Sequence, residues 1–330
     1  MTTERKTDPV PDAVAALIRA AGRREEPPLE AYRIVLAASE TTLRGKVRRR
    51  RWLRLGLGLA AALAVVVAVP FAYRALSPST AVIEVARLDR QVGAIELREA
   101  GVAPWRVAAG RVVALRAGTR LRTHEGAAAG LALANGVSLR VDAVTEVEIL
   151  EDARVRLRHG AVYADTGRGD GASISVTTPA GTAHDFGTQF EVRYEGERLA
   201  LSVREGRVAL LSSAEPLMVD AGTRLAVDAA GDVSRTTVAT DDRSWQWAEA
   251  VAPAPDLDGK PVAELLAWVA RETGLRLRYA DAAVERQASA TILHGAAGPL
   301  APLELLDAML ATTDFTYEVR DDGTIEVRRR

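Results

Sequence analysis

None of the 330 residues is a cysteine, so disulfides, thiolate catalysis and cysteine-based zinc sites are excluded from the outset. Histidine is scarce. His124, His159, His184 and His294 stand apart, with no His-x-x-x-His or His-Glu-x-x-His pairing, and no metal site is expected. Aromatic residues make up 5% of the chain, too few for a tryptophan-rich sugar-binding surface. A net charge of −1 shows none of the global basicity that marks a nucleic-acid binder. There is no Gly-x-Ser-x-Gly nucleophile elbow, and His184-Asp185 belongs to no identifiable triad. The chain therefore reads as neither an enzyme nor a cofactor carrier.

What it does have is one long apolar run. Leu55 to Tyr73 holds no charged residue, and as a helix it spans about 28 Å, close to the hydrocarbon thickness of a bilayer. Arg44, Lys46, Arg48, Arg49, Arg50, Arg51 and Arg54 crowd its N-terminal side, whereas the following stretch to Gly93 holds Arg74, Arg87 and Arg90. That asymmetry predicts a single membrane-spanning helix over 53–74, with the N-terminus in the cytoplasm and the C-terminus outside. The long leader, and the lack of a small-x-small site around Phe71-Ala72-Tyr73-Arg74, argue against a cleaved signal peptide.

Residues 1–52 read as a short helical cytoplasmic tail. Val14, Leu17, Ile18 and Ala21 recur at helical spacing and Gly22 closes the pattern; beyond Pro27-Pro28, Leu29, Tyr32, Leu36 and Leu43 share a second face. Two helices this short cannot bury their stripes alone. They pack on each other, lie on the anionic membrane surface or dock into the groove of a cytoplasmic partner. The partner reading puts the contact on Leu17, Ile18, Tyr32 and Leu36.

From Val82 to about Val238 the period changes to two, with frequent turn signals, which predicts an all-β domain over 80–245. Leu131 and Leu133 alternate before Asn135-Gly136, and Val137, Leu139 and Val141 after it, a tight-hairpin signature. Phe190, Val192 and Tyr194 lead through Glu195-Gly196 to Leu199, Leu201 and Val203. Gly110-Arg111-Val112 running into Ala117-Gly118-Thr119-Arg120-Leu121 is echoed by Gly206-Arg207-Val208 running into Ala221-Gly222-Thr223-Arg224-Leu225. That echo suggests a β unit used twice, in a sandwich or a short solenoid, or similar turns chosen independently.

The stretch containing Thr177, Pro179 and Gly181, then Phe186, Gly187, Thr188 and Phe190, then Val203, Glu205 and Gly206 resembles the core motif of the FecR family. These are bacterial transmembrane regulators of extracytoplasmic-function (ECF) sigma factors. The motif is a fold signature: its glycines end strands, and Phe186 and Phe190 are expected to pack inwards.

Residues 246–256, with Pro253 and Pro255 among alanines, have the composition of a linker. After them Pro261 opens a helix carrying Val262, Leu265, Leu266 and Val269, stopped by Gly274. Leu275, Leu277 and Tyr279 alternate as a strand, Ala288 to Leu293 suggests another, and Pro302 starts a second helix. Phe315, Tyr317 and Val319 pair with Ile325 and Val327 across Asp321-Asp322-Gly323. The result is a small α+β module over 257–330. It resembles the short N-terminal (STN) domain of secretins and TonB-dependent transporters, or else caps the β domain. An unpaired sheet edge would let it recruit a partner strand.

The resemblance implies an anti-sigma type signal transducer in the bacterial inner membrane. Its cytoplasmic partner would be an ECF sigma factor, and its periplasmic partner the signalling domain of a TonB-dependent outer-membrane transporter, serving iron or nutrient uptake. Transcription would be regulated without direct nucleic-acid contact. The alternative is a periplasmic scaffold adaptor anchored in the same membrane.

Overall fold

Alternation of apolar and polar side chains from Val85 onwards sorts the residues of each strand onto two faces, and paired strands then bury the apolar one. The computed structural model describes residues 84–101, 104–108, 112–167, 171–185, 187–212 and 215–330. The expected tail helices and the expected membrane-spanning segment 53–74 lie outside them. Among the described residues no helix is long and apolar enough to cross a membrane. Thr80–Arg330 is one compact unit.

Its larger part is built of strands. In chain order these are β1 (Glu84–Val92), β2 (Ile95–Arg98), β3 (Arg106–Val107), β4 (Val113–Arg116), β5 (Thr119–Thr123), β6 (Ala128–Leu133), β7 (Ser138–Val141), β8 (Glu146–Ile149), β9 (Arg154–Asp165), β10 (Ser175–Thr178), β11 (Gly181–Asp185), β12 (Gln189–Glu195), β13 (Arg198–Glu205), β14 (Arg207–Leu211), β15 (Leu217–Asp220), β16 (Thr223–Val227) and β17 (Val233–Thr237). They form two sheets that share β9. Sheet A runs β4-β1-β6-β7-β9-β12-β13-β16-β17, all antiparallel. Sheet B runs β3-β2-β5-β8-β9-β10-β11-β14-β15, antiparallel except where β9 meets β10. The first half of β9 belongs to sheet B and the second to sheet A, and the strand changes sheet at Gly160.

One apolar core lies between the sheets. Sheet A contributes Leu88, Leu131, Leu139, Val162, Phe190, Leu201 and Leu225, and sheet B contributes Ile95, Leu121, Val147, Leu157, Val176 and Val208, all essentially inaccessible. Each such side chain stabilises the fold by about 2 kcal/mol relative to leaving it in water. This is the sandwich form of the two the alternation allowed.

The Gly-Thr echo marks two crossings between sheets. The turn at Gly118 leads from β4 in sheet A to β5 in sheet B, and the turn at Gly222 leads from β15 in sheet B to β16 in sheet A. The duplicated unit lies elsewhere. In β5–β8 a sheet A hairpin (β6–β7) is nested within a sheet B pair (β5–β8), and β11–β14 repeats that nesting with β12–β13 inside β11–β14.

A 3-10 turn (Arg243–Trp245) and helix α1 (Gln246–Ala250) follow β17, then α2 (Val262–Thr273), β18 (Arg276–Tyr279), α3 (Ala282–Ala290), α4 (Pro302–Leu310), β19 (Phe315–Arg320) and β20 (Thr324–Arg329). The last three strands form a sheet in the order β18-β20-β19, with β18 parallel to β20. Val262, Leu265, Leu266 and Val269 of α2 are fully buried with Leu306, Phe315, Ile325 and Val327 in a second core. The segment from Ala288 is not a strand. Asp281 accepts hydrogen bonds from the backbone N–H groups of Ala283 and Val284 and caps α3, which carries the alanine-rich segment as helix to Ala290. Only Ile292 beyond it makes a β-bridge, to Pro261.

Candidate functional site

The inward side chains of sheet A are apolar, so its outward ones should be solvated. Across the middle of the sheet they are not. Cross-strand register aligns Arg90, Gly130, Arg140, Tyr163, Glu191, Ser202, Arg224 and Thr236 in one transverse row. Over this row lies the segment 243–252. Arg90 donates to the carbonyls of Ala250 and Ala252 at 3.2 and 2.5 Å, and Arg140 to that of Ala248 at 3.1 Å. Trp247 donates from Nε1 to Glu191 Oε2 at 2.9 Å, and Arg224 contacts the Ser244 hydroxyl at 3.3 Å. Trp245 stands edge-on to Tyr163, ring centroids 5.9 Å apart. A Cβ on Gly130 would lie 2.6 Å from the Val251 carbonyl oxygen, so this close approach of backbone to sheet requires glycine. The expected linker 246–256 thus begins as a segment packed on the sheet, with Ala248, Val251 and Ala252 fully buried.

The C-terminal end of α2 closes onto the same face. Arg140 and Glu272 form an ion pair at 2.7 Å with neither side chain reaching solvent, oriented outside hydrogen-bond angles. Arg204 donates to the Glu272 carbonyl at 2.7 Å and to Glu249 Oε1 at 3.0 Å, and its guanidinium stands 5.4 Å from the Trp245 ring. Arg271 reaches across to Asp165 and Glu205 together, and Gln189 donates to the second oxygen of Asp165 at 2.9 Å. Gly274 ends α2 in the left-handed region (φ 68°), and a Cβ there would sit 1.9 Å from the Thr240 carbonyl. A cleft of about 430 Å³ opens beside this junction, between Gln189 and Glu205 on one wall and Ala267, Ala270, Leu275 and Leu277 on the other.

Burying so many ionisable groups shifts them in both directions. Burial raises Glu249 above the usual carboxylate range, with Arg204 opposing. At Asp165 burial pushes up too, but Arg271, Gln189 and the Gly167 N–H outweigh it and the carboxyl ends below its ordinary value. The Tyr163 phenol is pushed up to about 12, chiefly by burial. Among the described residues Tyr163 Oη and Arg140 Nε have no hydrogen-bond partner. The junction is therefore a set of desolvated charges satisfied mainly by one another, an arrangement that binds strongly only while every partner is in place. Chemically it is a contact surface. Among the described residues there is no group of His, Asp and Glu arranged to hold a metal ion.

Most of the described motif residues lie away from this site. Thr177 is exposed on β10 with its hydroxyl 3.2 Å from that of Thr182, Pro179 lies in the β10–β11 turn, and Gly181 opens β11. Gly187 donates to Asp185 Oδ2 at 3.1 Å, and buried Thr188 donates its N–H to the Thr166 hydroxyl at 2.7 Å. Phe190 and Val203 are fully buried in the core, and Gly206 turns β13 into β14. Among the described motif residues Glu205 contacts the C-terminal module, through Arg271. Phe186 lies outside the described residues, as do Leu17, Ile18, Tyr32 and Leu36. The sequence reading did not single out Arg140, Tyr163, Arg204, Trp245, Glu249, Arg271 or Glu272. One signal was available: Glu272 follows Val269 by three positions and Leu265 by seven, so it continues the apolar stripe of α2.

Residues 119–209 match the family model described as FecR protein. The span runs from the start of β5 into β14 and contains every motif residue from Thr177 to Gly206, and it bears out the resemblance read from them. No curated protein matches the chain. Two crystal structures of a candidate anti-sigma factor from Parabacteroides distasonis, at 2.50 and 1.65 Å resolution, are similar to it. Each is 15% identical with a TM-score of 0.34, over 64% of this chain and 98% and 99% of theirs.

Proposed function

We propose that this chain, with its FecR domain, regulates an ECF sigma factor from the bacterial inner membrane in response to a periplasmic signal. Residues 1–52 hold the sigma factor through Leu17, Ile18, Tyr32 and Leu36, and residues 53–74 cross the membrane. Residues 80–245 form the FecR-like domain, and 257–330 an STN-like module that receives the signalling domain of a TonB-dependent transporter engaged in iron or nutrient uptake. The observation that carries this reading is the FecR match over 119–209, in a chain whose uncharged run Leu55–Tyr73 carries a basic collar on its N-terminal side. The buried junction around Arg140, Arg204 and Glu272 supplies a physical route for transmission. A partner bound to the C-terminal module must either keep that charge network or break it, and a network with two discrete arrangements can couple distant sites.

The test is co-purification of the detergent-solubilised full chain with the ECF sigma factors of the same genome. Capture by the wild type, lost in Leu17→Asp, is the expected result. Equal capture by Leu17→Asp removes that helix face from the reading, and no capture by the wild type leaves the scaffold adaptor instead. A second arm reads sigma-dependent transcription: Glu272→Ala is expected to alter the response to the transporter while leaving sigma-factor capture intact.

A further inference from the structure

The outer face of sheet B differs from that of sheet A: among the described residues no other element covers its middle. Register aligns Arg98, Arg120, Glu148, Arg156, Thr177 and Thr182 across six adjacent strands. Beside that row Glu96, Arg122 and Glu146 form another, and Arg158 reaches both Glu148 (2.9 Å) and Glu146 (3.8 Å). Five guanidiniums (Arg98, Arg120, Arg122, Arg156 and Arg158) thus stand against three carboxylates, and His124 contacts Glu96 as well.

At Glu148 the two signs do not sit at the same height, whereas Glu146, 34% exposed, is level with Arg120 and Arg158 at 30% and 37%. Glu148 is 13% exposed beneath Arg156, which is 47% exposed, and the single atom Glu148 Oε2 accepts from both Arg156 and Arg158. Arginines that share one carboxylate keep most of their five donors free, so around Glu148 the surface shown to solvent is mainly guanidinium. Half-buried Trp105 lies between Arg98 and Arg122, its ring centre 4.8 and 4.4 Å from their guanidinium carbons.

An arginine-rich face with a tryptophan beside two of its guanidiniums fits an array of phosphates. Arginine pairs with phosphate through two parallel hydrogen bonds, and an amphipathic indole suits the boundary between headgroups and water. Ten residues separate Tyr73 from Glu84, a reach of at most about 35 Å, which keeps the domain within touching range of a bilayer crossed by residues 53–74. We propose that the outer face of sheet B docks on the anionic phospholipid headgroups of the leaflet from which the domain emerges. This inference rests on the membrane-anchored reading above.

Because the chain has no cysteine, Thr177→Cys places a single environment-sensitive label on this face and Ser289→Cys a control label on α3. The full chain is reconstituted in nanodiscs of phosphatidylcholine, alone or mixed with phosphatidylglycerol, and quenching by acrylamide is measured. In the anionic discs the label at Thr177→Cys is expected to be shielded, with shielding lost in high salt and in Arg156→Gln/Arg158→Gln, while the control is quenched alike throughout. Equal quenching at Thr177→Cys in both lipids overturns the proposal. So does shielding that survives the double substitution in a chain with an unchanged unfolding midpoint. Should the double variant fail to fold, Arg154→Gln, on a more exposed arginine of the same strand, takes its place, with the salt dependence read beside it. Should the chain enter no disc, the anchor reading fails by itself, and flotation of the soluble chain with phosphatidylglycerol vesicles, against phosphatidylcholine vesicles, decides the docking: no flotation overturns it.

Discussion

At the scale of single residues, the junction rests on charges that have given up water. Arg140 and Glu272 face each other at 2.7 Å in full burial, and removing one partner leaves the other charged and unsolvated. Glu272→Ala is therefore expected to cost about 3–5 kcal/mol, read as a lower urea midpoint of the purified full chain. Arg140→Met/Glu272→Leu together should lose much less, because no lone charge remains. If the double replacement is as damaging as Glu272→Ala alone, the pair is not what holds the module. The carboxylates nearby give the junction a pH profile with two opposite slopes. Asp165 titrates below its ordinary value, so its stabilisation is complete above the unfolded pKa and is lost as pH falls through the folded one. Glu249 titrates above its ordinary value, so the folded state gains stability as pH falls through that raised pKa. Mild acidification is expected to strengthen the fold through Glu249, and stronger acidification to weaken it through Asp165. Comparing thermal midpoints against pH, Glu249→Gln should remove the rise and Asp165→Asn the fall; a wild-type profile unchanged by both variants would refute the assignment.

At the scale of elements, what the sequence disclosed and what it hid follow from the range of the interactions. The hairpins around Asn135-Gly136 and Glu195-Gly196 are set by a turn dipeptide and the alternation on either side of it, all within about twenty residues, and both are present as β6–β7 and β12–β13. Helix α2 likewise runs Val262–Thr273 between its caps Pro261 and Gly274, as its stripe and stop residues dictate. The segment after Asp281 was misread because Ala288 to Leu293 looks like a strand in isolation, and only the cap on Asp281 makes it the end of a helix. The buried row of sheet A was invisible for a different reason. An outward charge on a strand has the same pattern whether water or a distant helix covers it, and Arg140 meets its cover 108 residues later, Asp165 its partner 106 later. Gly130 records that cover in the chain itself. Gly130→Ala would set a methyl 2.6 Å from the Val251 carbonyl, and is expected to cost about 1–3 kcal/mol of overpacking and to open the 243–252 segment to limited proteolysis. Wild-type resistance to cleavage in that variant would mean the segment does not lie on the sheet in solution.

At the scale of the whole unit, the C-terminal module and the β-sandwich own separate apolar cores yet meet through a surface that is neither core. Trp245, Tyr163, Val238 and Ala248 form a small apolar island there, ringed by Arg140, Arg204, Arg271 and their carboxylates. Interfaces held this way differ in response from apolar ones. An apolar interface weakens gradually as its area is cut, whereas a network of desolvated charges fails as a unit once a member is withdrawn. Ending the chain after Asp256 would delete Glu272, Arg271 and the Glu272 carbonyl at once, stranding Arg140, Arg204 and Asp165 on a sheet face shaped to be covered. The truncated chain is expected to have a lower unfolding midpoint than Glu272→Ala, although the sandwich core is untouched, and adding Arg140→Met to it should restore part of the loss. Trp245 reports the same event optically. It is fully buried against Tyr163, so truncation, compared with a full-length Trp268→Phe reference because the cut removes Trp268, should shift tryptophan emission to longer wavelength and speed acrylamide quenching. A truncated chain as stable as the whole, with unshifted emission, would mean that the module sits on the sandwich without sharing its stability, and that a signal received at β18–β20 has no mechanical path into the sandwich.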